Sequence, residues 1–234
     1  MLNVSKEEKM SIFTIGDLHL SFKENKPMNI FGENWDNHEE KIAKDWKSKV
    51  KDNDLVILPG DFSWATYLED TYPDFEYLNN LPGYKIMLKG NHDYWWTTVT
   101  NMRKYLLDNG FEKIDFLYNN SYKFENYVIV GTRGWSALED GNLEKMIKRE
   151  VARLELSFED GIKKYGENSE FIVCMHYPPM NEFLEVMRKY NVKVCLYGHL
   201  HGAQQVDVKE GIINGVNLKM ISSDYLNFKL NKIV

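Results

Sequence analysis

The sequence predicts a layered α/β fold, with parallel strands in its first half followed by antiparallel strands. Short apolar runs such as Leu55–Leu58 and Val192–Tyr197 have the length and composition of buried strands. Between several of these runs, apolar residues recur at helical spacing, which is typical of parallel sheets. No internal repeat, linker or low-complexity segment interrupts the chain, so we expect residues 1–234 to form a single domain.

The first half alternates predicted strands and helices. The elements are, in order, a strand over 11–16, a helix over 34–50, a strand over 55–58, a short helix over 73–80, a strand over 84–88 and a helix over 95–107. Trp35, Ile42 and Trp46 form one stripe of the first of these helices. Asn109 and Gly110 are typical of the left-handed turn that ends a helix.

The second half begins with predicted antiparallel strands. Three strands are expected over 114–118, 121–125 and 127–131, with a hairpin turn at Asn119-Asn120. The later elements are a long helix from Leu143 to Ile162, capped by Asn142 or Asp140 and ended by Gly166, a strand over 171–175, a helix over 181–190, a strand over 192–197 and closing strands of a second sheet within 203–234.

Composition narrows the class of protein. A net charge of -6 argues against a general surface for long nucleic acids or anionic membranes. Cys174 and Cys195 lie inside apolar strands, which favours buried, reduced thiols. Residues 1–10 lack the apolar region of a secretion signal, and no apolar run approaches the roughly 18 residues of a membrane helix. We therefore expect a cytoplasmic protein that does not enter a membrane.

Polar residues follow several of the predicted strands. Gly90-Asn91-His92-Asp93 offers a neutral oxygen ligand, a proton near neutral pH and a carboxylate that could orient the imidazole. Asp17 and His19 project to the same side of an extended segment and form a plausible half-site for a transition metal. The residues in such positions, including five of the six histidines, are Asp17, His19, Asp61, Asn91, His92, His176, His199 and His201.

These donors suffice for two metal ions. One ion would take the Asp-x-His pair, a shared carboxylate and a further histidine, and the other the same carboxylate, an amide oxygen and two histidines. Two ions about 3.5–4 Å apart form a clamp for in-line displacement at phosphorus, and a water between them would be acidic enough to attack as hydroxide. A single-zinc hydrolase needs only three protein ligands, and would leave the remaining polar loops unexplained.

The set Asp17-x-His19, Gly60-Asp61, Gly90-Asn91-His92-Asp93, His176 and Gly198-His199-x-His201 resembles the calcineurin-like metallophosphoesterase superfamily. All five blocks occur in the order of that family, from residue 16 to residue 202. The resemblance implies a four-layer sandwich of two mixed β-sheets flanked by helices. It also implies that the first metal is held by Asp17, His19, Asp61 and His201, and the second by the bridging Asp61 with Asn91, His176 and His199.

The resemblance further implies catalytic roles for two residues. His92 would lie over the substrate phosphate and protonate the leaving oxygen, and Asp93 would orient it. Four other side chains are candidates for substrate contact, each with a structural alternative. Trp64 and Trp96 either line the pocket or fill the core, Arg133 binds a phosphate oxygen or a structural partner, and His38 faces the site or the surface. For Arg149 and Arg153 a solvated helix face, paired with Glu150 or Glu155, is favoured.

The sequence therefore predicts a metal-dependent hydrolase of small phosphomonoesters or phosphodiesters. Its cofactors would be two divalent transition-metal ions, with manganese, iron, zinc and nickel all compatible with the ligands. The alternative is a catalytically silent scaffold of the same fold that binds other proteins. Such a scaffold would be expected to have lost ligands or the His92 position, and none is lost here.

Overall fold

Two β-sheets pack face to face in the computed structural model, which describes residues 9–24, 26–136 and 142–234. The strands of the first sheet are β1 (Ile12–Thr14), β2 (Leu55–Leu58), β3 (Tyr84–Met87), β4 (Ile114–Phe116) and β11 (Asn231–Lys232). Their spatial order is β11-β1-β2-β3-β4. Strands β1 to β4 are parallel, and β11 is antiparallel to β1.

The second sheet is also mixed. Its strands are β5 (Tyr122–Phe124), β6 (Tyr127–Thr132), β7 (Glu170–Met175), β8 (Val192–Tyr197), β9 (Gly211–Ile213) and β10 (Val216–Met220). The spatial order is β5-β6-β7-β8-β10-β9, with a parallel centre and an antiparallel strand at each edge.

Helices cover the outer faces of both sheets. They are α1 (His38–Lys49), α2 (Tyr72–Asn79), α3 (Val99–Asp108), α4 (Leu143–Tyr165) and α5 (Asn181–Met187). Because side chains alternate along a strand, Val56 and Leu58 face the core under α1 to α3, whereas Leu55 and Ile57 face the core between the sheets. A third core lies under α4 and α5. The predicted four-layer sandwich is confirmed.

Two predicted helices begin later than expected. Asn37 has a left-handed backbone (φ 49°), so the segment over 34–50 splits into a short 3-10 turn, Glu33–Trp35, and α1. The helix expected from residue 95 begins at Val99, where the Thr98 hydroxyl accepts a hydrogen bond from the backbone N–H of Asn101. Trp95 and Trp96 therefore belong to the loop after β3.

The predicted hairpin at Asn119-Asn120 is wrong. Strand β4 belongs to the first sheet and β5 to the second, so the asparagine turn carries the chain between sheets. The turn is stabilised locally, because Asn120 Oδ1 accepts a hydrogen bond from the backbone N–H of Tyr118 (2.6 Å). The closing strands are also divided, since β9 and β10 join the second sheet but β11 joins the first.

The long helix α4 is as predicted. Its cap is Asn142, whose side chain accepts a hydrogen bond from the backbone N–H of Lys145, and the alternative cap Asp140 lies outside the described residues. The helix over 181–190 ends at Met187, where tighter turns take over. Among the described residues, no helix has the length and apolar character required to span a membrane.

Candidate metal centre

Five loops meet at one edge of the two sheets. Asp17 follows β1, Asp61 follows β2, Asn91 follows β3, His176 follows β7 and His199 follows β8. The carboxyl ends of parallel strands point to the same edge of a sheet, and this edge is where open α/β sheets bind ligands. The sandwich brings the corresponding edges of both sheets together.

The first group of donors comprises Asp17, His19 and His201, whose ligand atoms all lie within 4.8 Å of one another. Nε2 of His19 is 3.3 Å from Nε2 of His201, and the latter is 3.6 Å from Oδ1 of Asp17. Two nitrogens that each lie about 2.1 Å from a tetrahedral ion are about 3.4 Å apart. The spacing of these donors therefore fits a common ion.

The second group comprises Asp61, His176 and His199, again within 4.8 Å of one another. The side-chain oxygen of Asn91 adjoins it, 2.6 Å from Nε2 of His176 and 2.9 Å from Nδ1 of His199. Separate loops thus direct a carboxylate, an amide oxygen and two imidazoles to one point.

Asp61 lies between the two groups. Its Oδ2 is 3.7 Å from Nε2 of His19 in the first group and 3.5 Å from Nε2 of His176 in the second. A carboxylate in this position is suited to bridge two cations. Its other oxygen accepts a hydrogen bond from the backbone N–H of His92 (2.8 Å), which fixes the orientation of the carboxylate.

Acceptors outside the cluster orient two of the imidazole rings. Nδ1 of His176 is 3.0 Å from the carbonyl oxygen of Pro59, and Nδ1 of His201 is 2.8 Å from Oδ1 of Asp224. An acceptor at Nδ1 holds the proton there and leaves the Nε2 lone pair for a metal. The carboxylate of Asp17 is also oriented from outside the cluster, by the Ser222 hydroxyl, which donates a hydrogen bond to its Oδ2 (2.8 Å).

Two glycines leave room for the carboxylates. A Cβ atom at Gly198 would lie 2.3 Å from Oδ2 of Asp17, and one at Gly90 would lie 2.1 Å from Oδ1 of Asp61. Neither distance is compatible with a non-bonded contact. Gly198 and Gly90 therefore allow their loops to pack closely against the carboxylates of Asp17 and Asp61, respectively.

Four of the candidate ligands have a left-handed backbone. The φ angles are 56° for Asp17, 46° for His19, 50° for Asp61 and 75° for His199. This conformation is uncommon for residues other than glycine and concentrates at functional sites. The backbone is therefore bent sharply at the positions where donors converge.

The ionisation of the cluster suits cation binding. Burial, followed by the carboxylates of Asp17 and Asp93, raises the pKa of Asp61 well above its ordinary value. Burial lowers the pKa of His176 to about 3, and burial together with the charge of His201 lowers the pKa of His19. These two imidazoles are therefore neutral near pH 7 and can offer lone pairs, and a cation would stabilise the Asp61 carboxylate.

Asp17 and His201 each shift the pKa of the other. Burial alone would raise the pKa of Asp17, but the hydrogen bond and charge of His201 hold it below the ordinary value. Burial acts to lower the pKa of His201, whereas Asp17 and Asp224 raise it to about 10. A metal that binds Nε2 of His201 must displace this proton. The donor set of carboxylates, imidazoles and an amide fits two divalent transition metals.

His92 lies at the wall of the cluster. Its ring centroid is 5.7 Å from that of His19 and 4.5 Å from the indole of Trp64. Trp64 also stacks on His19, with centroids 5.0 Å apart and planes inclined by 24°. Trp64 therefore contacts two imidazoles of the site while it also packs against the core under α1 to α3, and its contact with substrate stays a prediction.

Asp93 is buried beneath the site. Its carboxylate accepts five hydrogen bonds, from the backbone N–H groups of Asp61, Phe62, Ser63 and Gly90 and from the indole N–H of Trp95. These bonds tie the loop after β2 to the loop after β3. The structure thus gives Asp93 a structural function that the sequence did not suggest, and its action on the His92 ring stays a prediction.

His38 is buried rather than at the surface. Its Nε2 is 3.0 Å from the carbonyl oxygen of Leu18, between the ligands Asp17 and His19, and its Nδ1 is 3.1 Å from Oε2 of Glu39. The ring supports the loop that carries the first two ligands. A direct contact of His38 with substrate stays a prediction.

Trp96 and Arg133 line a neighbouring cavity of about 630 Å³. Arg149 and Arg153 line it too, and both contact the buried carboxylate of Glu150, as one of the alternatives from the sequence had it. They border a cavity rather than a fully solvated face. Burial lowers the pKa of Lys89 in the same wall, and the charge of Arg133 lowers it further.

Sequence reasoning missed Asp224 and Ser222, which contact His201 and Asp17. The signal was present, because Ser222-Ser223-Asp224 follows β10 just as the ligand blocks follow their strands. Both residues lie after the last of the five family blocks, and the family pattern therefore did not include them.

The fold and these donors define a class of protein, an α/β sandwich with two candidate metal-binding groups at one edge. A model described as calcineurin-like phosphoesterase matches residues 10–203. The chain belongs to this family, the metallophosphoesterase superfamily, which uses divalent metals. No curated protein matches the chain.

Two solved structures illustrate the similarity. Protein TT1561 of Thermus thermophilus has a TM-score of 0.59 and 14% sequence identity, with 96% of this chain and 98% of that chain covered. A protein of unknown function, AQ665 from Aquifex aeolicus, has a TM-score of 0.49 and 18% identity, with 96% of each chain covered. At this identity the first likeness supports the fold alone.

Proposed function

We propose that the chain is a binuclear metal-dependent phosphoesterase that hydrolyses a small phosphomonoester or phosphodiester. The observation that carries the proposal is the position of Asp61, whose Oδ2 lies 3.5–3.7 Å from an imidazole of each donor group. A protein that needed the fold only as a scaffold would gain nothing from an ionisable carboxylate buried between two sets of ligands.

The ligand sets follow from the two groups. Asp17, His19, Asp61 and His201 would hold the first ion, and Asp61, Asn91, His176 and His199 the second. When bound, two divalent cations would stabilise charge on the phosphoryl oxygens and supply an acidified water as the nucleophile. Manganese, iron, zinc and nickel all accept this mixture of nitrogen and oxygen ligands.

His92 would donate a proton to the leaving oxygen. Its backbone N–H is bonded to Asp61, so the ring is held at a fixed position relative to the proposed bridge. Trp64 packs against the imidazole and limits its rotation. Asp93 would act as a positioning residue, because it anchors the backbone from which both Asp61 and His92 project.

The two cysteines support the expected cytoplasmic location. Cys174 and Cys195 are buried and unpaired, which suits a reducing compartment. The small-molecule substrate is favoured over a long nucleic acid because the chain carries a net charge of -6.

Metal analysis and a hydrolysis assay test the proposal. Purified protein should contain two divalent ions per chain and hydrolyse an aryl phosphomonoester or diester. Asp61→Asn should weaken binding of both ions, because the bridge belongs to both sites. His92→Ala should lower kcat while leaving the metal content near that of the wild type. Asp108→Asn, which changes an exposed carboxylate on α3, is the matched control.

Three outcomes would contradict the proposal. Two tightly bound ions in Asp61→Asn would exclude the bridging role. Loss of metal in His92→Ala would mean that His92 supports the ligands rather than the reaction. A wild-type protein that binds two ions but hydrolyses no phosphoester would favour the protein-binding scaffold.

A further inference from the structure

A cationic cavity adjoins the metal centre. It has a volume of about 630 Å³, within the range of small-molecule sites. Among the described residues, four cationic side chains line it, Lys89, Arg133, Arg149 and Arg153, and Glu150 is the one acidic side chain. The chain as a whole has a net charge of -6, so the concentration of positive charge here is local.

Glu150 holds two of the guanidinium groups in place. Its buried Oε1 is 3.0 Å from a terminal nitrogen of Arg149 and 2.7 Å from one of Arg153. The second oxygen, Oε2, accepts a hydrogen bond from the Thr132 hydroxyl (2.6 Å). One carboxylate therefore positions two cations and neutralises only part of the charge on the cavity wall.

Aromatic rings lie close to three of the arginine guanidinium groups. The guanidinium carbon of Arg133 lies 4.5 Å from the ring centroid of Trp135, that of Arg149 5.5 Å from the same ring, and that of Arg153 5.2 Å from Tyr118. Glu150 and, for Arg153, the Tyr118 hydroxyl take two of the five N–H donors of each of the guanidinium groups of Arg149 and Arg153, and the remaining donors can bind an oxyanion. The arginines are thus preorganised rather than free to adopt many rotamers.

The cavity is connected to the metal centre through two short pieces of backbone. Lys89 is separated from the candidate ligand Asn91 by a single glycine. The carbonyl oxygen of Arg133 accepts hydrogen bonds from the backbone N–H groups of His176 (3.2 Å) and Tyr177 (3.0 Å). Both residues therefore join the wall of the cavity to segments that carry candidate ligands.

We propose that this cavity binds a second phosphate group of the substrate, so that the enzyme acts on small phosphoesters carrying two phosphates. The proposal rests on the phosphoesterase function proposed above. Arginines that offer planar pairs of N–H donors recognise phosphate, and several cations around one pocket favour a dianion over a neutral group. Trp96 provides an apolar wall beside the cations for the carbon skeleton of such a substrate.

The test compares kcat/KM for alkanediol bisphosphates of increasing chain length with kcat/KM for the alkanediol monophosphates of the same lengths, which have the same kind of leaving group. In the wild type the best bisphosphate should exceed its monophosphate by at least about tenfold, the effect of one charge-assisted hydrogen bond. Arg149→Gln and Arg153→Gln should each reduce this ratio by about tenfold. Arg149→Lys, which restores the charge, should recover part of it.

Lys148→Gln is the matched control. Lys148 precedes Arg149 on α4, is exposed, and pairs with Glu144 instead of Glu150. It should keep the wild-type ratio, which separates binding in the cavity from a general loss of positive charge. Thermal unfolding of each variant identifies any that fail to fold, and if one glutamine variant fails, the other carries the test.

Two results would overturn the inference and leave the phosphoesterase function intact. The first is hydrolysis of the alkanediol monophosphates with no preference for any bisphosphate, and the second is a preference that survives in both glutamine variants. If the wild type hydrolyses neither kind of substrate, the proposed function fails, and a binding measurement then decides whether the cavity is an anion site. Sulfate stabilises folded proteins in general, so Tm should then rise above its value in chloride at equal ionic strength in both proteins, but by more in the wild type than in Arg149→Gln. An equal rise would exclude the anion site.

Discussion

The hydrogen bonds of Asp93 lead to a prediction that separates two functions for this residue. Asp93→Asn removes one acceptor oxygen and puts an amide group in its place. In one orientation the amide faces the backbone N–H groups of Asp61 and Gly90, which donate to Oδ2. In the other it faces the three donors that now bond to Oδ1, from Phe62, Ser63 and Trp95.

The orientation that leaves fewer donors without an acceptor sets the expected loss in the free energy of unfolding. At least two buried donors lose their acceptor, and each unsatisfied buried donor costs about 1–3 kcal/mol. The free energy of unfolding should therefore fall by about 2–6 kcal/mol. For a protein of this length about 1 kcal/mol corresponds to 2–4 °C, so Tm should fall by about 5–20 °C. The loop that carries Asp61 would loosen with it, and both metals should bind more weakly.

Calorimetry on the wild type, Asp93→Asn and the control Asp108→Asn measures this effect. If Asp93 served only to orient His92, the variant would show a lower kcat with an unchanged Tm. If Tm fell by less than about 2 °C and the metal content stayed normal, the structural function derived from the five hydrogen bonds would be refuted.

Three other variants test the surroundings of the metal centre. Asp224→Ala removes the acceptor at Nδ1 of His201 and should weaken the first metal by about 10–100-fold in chelator competition, whereas unchanged affinity would contradict the role of Asp224. Gly198→Ala should displace the Asp17 carboxylate and empty the first site while the second stays filled, as metal analysis would show. Burial raises the pKa of Asp74 to about 6 from 3.8 in the unfolded chain, so its ionisation destabilises the fold by up to about 3 kcal/mol as pH rises from about 4 to 6. Asp74→Asn should accordingly gain Tm over the wild type at about pH 8 and gain less at about pH 4, and a gain independent of pH would contradict this assignment.

Strands buried on both faces could be predicted accurately because their apolar runs are continuous. Leu55–Leu58 and Val192–Tyr197 coincide with β2 and β8. The failure at Asn119-Asn120 has a physical reason, since an asparagine pair favours a turn but does not determine the sheet to which the next strand belongs. That choice depends on which strand edge is available. Strand β4 pairs with β3, which lies far from it in the sequence, so the local turn signal carries no information about this pairing.

The candidate ligands could be predicted because each lies in the loop that follows a strand, whereas their supports could not. The contact between Asp224 and His201 spans 23 residues, and that between Ser222 and Asp17 spans 205. Spacing along the chain carries no information about such pairs. The function of Asp93 was missed for a related reason, because its partners are backbone N–H groups that any residue type supplies.

The left-handed backbone at the ligands shows how the chain sets the geometry of the site. A non-glycine residue in this conformation costs about 1–3 kcal/mol, and it persists only where the surroundings determine it. The backbone N–H of Asp17 donates to the carbonyl of Gly60, and that of His19 donates to the carbonyl of Asp61, each over 3.0 Å. The loops after β1 and β2 therefore hold one another, and the N–H of Asp61 is held in turn by Asp93. Because these bonds join protein groups alone, the strain is balanced by the fold. Hydrogen bonds within the protein thus help to hold the donors at one edge of the two sheets.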